Sequence, residues 1–165
     1  MSGLAAFNEL PADDARARLL VCLDAPRWAE AVTVARPYAD VGELEDAMVA
    51  AAAVITDDEL EQALARHPRI GERADVAQHD AEHSAREQAG VDRGDAEVVR
   101  ALAEGNRAYE ERFGRVFIVR AAGRDGHDIL EHLQQRLDNS DDLERAATID
   151  QLAQIAVLRM REALS

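Results

Sequence analysis

The sequence predicts an all-α protein: a single compact multi-helix domain over residues 1–165, with one short extended segment near 116–120. Three observations carry this. Apolar residues recur at helical spacing along most of the chain. Aromatic residues make up only 4%, so the core is mostly Ala, Leu, Val and Ile, which suits packed helices better than a sandwich of aromatic-rich strands. Proline, capping residues and glycine also fall where helices of ordinary length should start and stop.

Taken in order, Pro11 opens a first helix with Asp13 and Asp14 at the positive end of its dipole, and Leu19, Leu20 and Leu23 continue it. A second helix follows Pro26 with Trp28, Ala31, Val32 and Ala35, and must stop near Pro37. A third covers about 41–54, with Leu44, Ala47, Met48 and Ala51 on one stripe. Thr56 and Glu59 form a capping box for a helix carrying Leu60, Ala63 and Leu64. Pro68 disfavours the α conformation at His67, so this helix is expected to end there. Residues 72–78 read as a loop, 79–89 as a helix closed by Gly90, and 95–113 as a helix with Val98, Val99, Leu102, Asn106 and Tyr109 spaced for burial. The stretch 116–119 is the one β-like run. After a turn at 123–126, helices are expected at 127–137 and 141–164.

The charge balance narrows the function. With 33 acidic and 19 basic residues the net charge is −14, a field that repels phosphate backbones and anionic membranes. Neither nucleic acid nor a membrane is an expected partner. Every basic residue is arginine, so Schiff-base chemistry on a protein lysine is excluded. The lone Cys22 lies in an apolar run, where it reads as an inert core residue of a protein in a reducing compartment. No long apolar run and no basic-then-apolar leader is present, so a cytoplasmic location is expected.

Two motifs concentrate polar chemistry. In His67-Pro68-Arg69-Ile70-Gly71 the imidazole projects from a helix end, suited to acid/base work near neutral pH. The same position also suits a purely structural cation at the helix dipole. In Ser84-Ala85-Arg86-Glu87-Gln88 a hydroxyl, a carboxylate and an amide share one helix face, as a ligand site or as a solvated surface. His79 and His83, spaced i and i+4 with Glu87 one turn on, form a rival zinc-like pattern that lacks an evident third ligand. The run 117–123 leaves its backbone N–H and C=O groups without helical partners, to be met by neighbours, water or an amide-rich substrate. Arg159 is either an interior guanidinium able to grip a carboxylate or an ordinary surface arginine.

In order and spacing, His67-Pro68-x-Ile70-Gly71, Ser84-x-x-Glu87-Gln88-Ala89-Gly90, Asn106-x-x-Tyr109-x-x-x-Phe113-Gly114, Phe117-Ile118-Val119, Gly123-Arg124, Ile129-Leu130, Arg136-Leu137-x-Asn139 and Ile155-x-x-Leu158-Arg159 resemble one family across essentially the whole chain. It is that of the 2-oxo-4-hydroxy-4-carboxy-5-ureidoimidazoline (OHCU) decarboxylases, which form (S)-allantoin at the end of urate breakdown. The resemblance implies an all-helical enzyme without metal or organic cofactor, commonly a homodimer, acting on a small anionic ureidoimidazoline. It implies His67 as catalytic acid/base with Glu87 as its partner. Pro68, Ser84 and Gln88 would line the substrate site, the main chain of Ile118, Val119, Arg120, Ala121 and Ala122 would hold ureido and ring amide groups, and Arg159 would anchor substrate charge. Arg69 stands where relatives commonly carry an acidic residue. Two other readings stay open on the residues themselves: a zinc hydrolase built on His79, His83 and Glu87, and a non-catalytic helical binding module with an acidic surface.

Overall fold

The structure is a computed structural model that describes residues 3–70 and 96–165. Eight helices lie among the described residues: α1 (Gly3–Glu9), α2 (Ala12–Cys22), α3 (Pro26–Val34), α4 (Val41–Ala52), α5 (Asp57–Leu64), α6 (Ala96–Phe113), α7 (Gly126–Leu137) and α8 (Asp141–Leu164). No strand occurs among those residues, as the all-α reading requires. The chain divides into two units, Met1–Ala63 with Leu152–Ser165, and Leu64–Gln151.

The first unit holds α1 to α4, most of α5 and the second half of α8. Helix α3 packs on both α2 and α4, and the Trp28 indole N–H donates to the Met48 carbonyl at 2.9 Å. Caps set the helix starts. Asp40 accepts from the Glu43 N–H at 2.8 Å while the Glu43 carboxylate accepts from the Ala39 N–H. The predicted capping box is present too: Glu59 accepts from the Thr56 N–H at 2.8 Å, and the Thr56 hydroxyl accepts from the Glu59 N–H at 3.3 Å. Arg27 of α3 also reaches Glu59, which ties α3 to α5. Hydrogen bonding from Arg27, then from the Thr56 N–H, lowers the Glu59 carboxyl to a pKa of about 2.

Helix α1 is a feature the sequence did not announce. Its buried Phe7 anchors it, and its C-terminal end is closed from a distance. The Arg36 guanidinium donates to the Phe7 and Leu10 carbonyls at 2.7 and 3.0 Å, and Asn8 exchanges two hydrogen bonds with the Tyr38 backbone. A Cβ on Gly3 would lie 1.9 Å from the Leu164 carbonyl oxygen, so only glycine permits this approach of α1 to the end of α8.

The second unit is centred on α6 and α7. Ile70, Val98, Leu102, Tyr109, Phe117, Val119, Ala121, Ile129 and Leu133 make one apolar cluster. Tyr109 meets the Phe117 ring edge-on at 5.2 Å between centroids. Gly105 allows the two helices to close up, since a Cβ there would sit 2.4 Å from a Leu133 methyl. Gly114, at φ 71°, ends α6 in the left-handed conformation that favours glycine. Residues 116–121 then run without helix, bridge or turn, where the sequence placed its extended stretch.

Candidate functional site

The backbone around His67 is pinned on both sides. Helix α5 stops at Leu64, three residues short of the expected end, and the chain tightens so that the His67 N–H donates to the Leu64 carbonyl at 3.0 Å. His67 is half-buried and Pro68 is buried. The next two residues then fasten to α6. Arg69 makes a two-pronged contact with Glu110, and the Asn106 amide donates to the Ile70 carbonyl at 3.0 Å. The arginine that departs from the family pattern thus has its counter-charge on α6. Beside it lies a cleft of about 430 Å³ lined by Arg69, Ile70, Val99, Ala103, Asn106, Arg107 and Glu110.

The run 116–121 is the second predicted site element, and its Phe117, Val119 and Ala121 side chains belong to the same cluster as Ile70. Among the described residues its main chain is held by side chains and not by a neighbouring strand. The Arg136 guanidinium donates to the Ile118 carbonyl, and the Gln151 side-chain oxygen accepts from the Arg120 N–H at 2.9 Å. The Arg124 N–H closes the following turn on the Ala121 carbonyl at 3.1 Å.

Behind this run is a buried polar network. Glu144 is fully buried and accepts from Arg136 (Nε at 2.8 Å, and Nη2), from the Tyr109 hydroxyl at 2.5 Å and from the Asn139 amide at 3.0 Å. Arg136 also reaches the Thr148 hydroxyl at 3.2 Å and stacks over the Phe117 ring at 4.7 Å. Desolvation, then the hydrogen bond to Glu144, pushes the Tyr109 hydroxyl up to about 12, so it acts as a fixed donor. The arrangement is a charged pair placed in the core with nearly all its hydrogen-bonding capacity filled, which is the condition under which such a pair is tolerated. One turn before Arg136 on α7, His132 contacts Arg124, and its pKa is lowered by desolvation and then by the Arg124 and Arg136 charges.

Of the sequence-predicted site residues, His67, Pro68 and Ile118 to Ala122 fall in the Leu64–Gln151 unit. Arg159 falls in the other unit, where it is 2% exposed and donates to the Val21 carbonyl at 3.2 Å, an interior guanidinium and not a surface one. Ser84, Glu87 and Gln88, and the rival pair His79 and His83, lie outside the described residues. Among the described residues no group of three or more His, Cys, Asp or Glu is arranged to hold a metal, and no helix is long and apolar enough to cross a membrane. Cys22 is buried, with its thiol on the Arg18 carbonyl.

The sequence reading gave no role to Arg136, Glu144 or Gln151. A signal was present for each. Arg136 continues the Ile129–Leu133 stripe at i+3, and Glu144, Thr148 and Gln151 fall on one face of α8.

Comparison with known proteins places the chain in a family. The profile of the OHCU decarboxylase family matches residues 8–161. A 2-oxo-4-hydroxy-4-carboxy-5-ureidoimidazoline decarboxylase from Haloferax volcanii is 30% identical over 141 residues, covering 85% of this chain and 82% of that protein. A protein of the same name from Halalkalicoccus jeotgali is 25% identical, over 82% of this chain and 73% of its own. A uric acid degradation bifunctional protein from Bacillus sp. strain TB-90 is 24% identical over 98% of this chain, which spans 32% of that larger protein. In fold, the chain resembles a crystal structure of OHCU decarboxylase in the presence of (S)-allantoin (TM-score 0.69, 23% identity, 87% of this chain and 94% of that one).

Proposed function

The chain belongs to the OHCU decarboxylase family, and from that premise we propose that it is a carboxy-lyase of urate degradation whose acid/base is His67. The observation that supports it most is the shared anchoring of the His67-Pro68 motif and the 116–122 run. Each motif is fastened by its own polar contacts, and both contribute to one apolar cluster. That arrangement suits a rigid proton carrier and a row of main-chain donors and acceptors serving one small molecule.

The chemistry needs little more from the protein. The bond to the carboxylate breaks, CO₂ leaves, and the electron pair spreads into the adjoining imine or carbonyl of the substrate ring. A proton then returns to that carbon. His67 handles the substrate hydroxyl or ring proton, and Glu87 orients the imidazole and supports its cationic form. Ser84 and Gln88 hydrogen-bond the ring and turn the carboxylate out of its plane, which aligns the breaking bond with the π system. Pro68 shapes the wall, the main chain of residues 118–122 binds the ureido and ring amides, and Arg159 neutralises substrate charge. Protonation from one face gives a single enantiomer. The reading extends to one catalytic domain per chain, working as a homodimer in the cytoplasm.

The test is circular dichroism of OHCU freshly generated from urate by urate oxidase and hydroxyisourate hydrolase. Wild-type protein should produce a rapid (S)-allantoin signal, and His67→Asn should abolish it while far-UV helicity is kept. Near-wild-type turnover by His67→Asn would remove the histidine from the mechanism. Racemic product at the spontaneous rate with wild-type protein would refute the decarboxylase reading itself.

A further inference from the structure

The 116–121 run has no partner strand among the described residues, yet its main chain is fastened at alternate positions by two side chains. In an extended chain the N–H and C=O of residue i point to one side, those of i+1 to the other, and those of i+2 to the first side again. The Ile118 carbonyl, taken by Arg136, and the Arg120 N–H, taken by Gln151, therefore belong to the same side. Extended geometry turns the N–H and C=O of Val119, between them, the opposite way, and no described residue hydrogen-bonds its main chain.

We infer that Gln151 and Arg136 are positioning residues for the reaction. By clamping one side of the run they hold the Val119 N–H and C=O on the other as an adjacent donor–acceptor pair for a ureido or lactam group. The inference rests on the decarboxylase reading for the identity of the ligand, but the clamp itself does not. The two residues differ in how tightly they are bound into the core. Arg136 is buried in the charged network, whereas Gln151 is half-buried and contributes an acceptor that can be removed with little loss of packing.

Gln151 therefore carries the test. Gln151→Leu removes the acceptor at nearly constant volume, and Gln151→Glu keeps an oxygen in its place. With Gln151→Leu the KM for OHCU should rise about tenfold, the size expected for losing one well-placed hydrogen bond, while kcat changes less than about threefold. Gln151→Glu should return KM to near the wild-type value, and thermal unfolding should be similar in all three proteins. Independently of any turnover, the peptide covering 116–122 should exchange its amide hydrogens about tenfold faster in Gln151→Leu than in wild type or Gln151→Glu. An unchanged KM in Gln151→Leu, an equal rise in both variants, or unaltered exchange would overturn the inference. An inactive wild-type protein with accelerated exchange in Gln151→Leu would instead refute the decarboxylase reading and leave the clamp standing.

Discussion

Replacing Glu144 with Gln should be among the most damaging conservative substitutions in the protein. The side chain is fully buried, and one of its oxygens receives Arg136 twice, together with the Tyr109 hydroxyl. The carboxamide keeps the shape and loses the charge, which leaves a guanidinium 8% exposed without its counter-ion. Breaking a buried pair from one side costs about 3–5 kcal/mol, against about 0–1 for an exposed pair. We expect about 3 kcal/mol from Glu144→Gln, the lower end of that range, because the amide oxygen can still accept in place of Oε1 while the amide nitrogen faces the Asn139 donor without accepting from it. Urea unfolding followed by circular dichroism reads this as a lower midpoint with an unchanged slope. Removing both partners in Arg136→Met/Glu144→Leu should cost less than the two single changes added together, since no orphaned charge remains. A loss below about 1 kcal/mol for Glu144→Gln, or strict additivity in the double variant, would show that the pair is solvated and that the burial argument is wrong.

Three further outcomes follow from other parts of the structure. Gly105→Ala gains about 1 kcal/mol of helix propensity but must displace the fully buried Leu133 methyl 2.4 Å away, at about 1–3 kcal/mol, so a net loss of stability is expected in urea titrations. Glu59 has a folded pKa of about 2, below its ordinary 4.5, so its contribution is complete above pH 4.5 and lost as pH falls toward 2. Glu59→Gln should accordingly flatten the acid limb of a stability–pH curve in that window. His132 is also held below its ordinary value, so its neutral form favours folding above about pH 6.5 and stability falls as acid titrates it below that. His132→Gln should reduce the loss of thermal stability between neutral and mildly acidic pH.

Local signals made most of the helices readable. The Thr56–Glu59 box starts α5 within one residue of expectation, and the long periodic stripes of α6 and α8 place both helices closely. What escaped depends on residues far apart in sequence. Helix α1 is short, and its closing donor, Arg36, lies 29 residues from the Phe7 carbonyl it serves. The end of α5 was misplaced because Pro68 fixes only where a helix cannot continue, while the turn onto Leu64 decides where it stops. In the candidate site, His67 and the 116–122 run stood out by local chemistry. Their supports did not, because an arginine, a glutamate and a glutamine on apolar stripes look like interruptions until the helices that carry them are brought together. Arg159 shows the same limit. The sequence leaves an interior and a surface place both open to it, and the fold shows that it is interior.

The interior placement of Arg136 and Glu144 bears on how the protein responds to ionic strength. At a net charge of −14 the surface repels itself, and added electrolyte relieves that repulsion once the Debye length falls to about 10 Å near 0.1 M. Counter-ions that reach the surface cannot enter between a carboxylate and a guanidinium closed off from solvent. The destabilising field therefore fades in saline while this buried attraction persists, and the folded state should gain from moderate salt where a protein held by exposed ion pairs alone would lose.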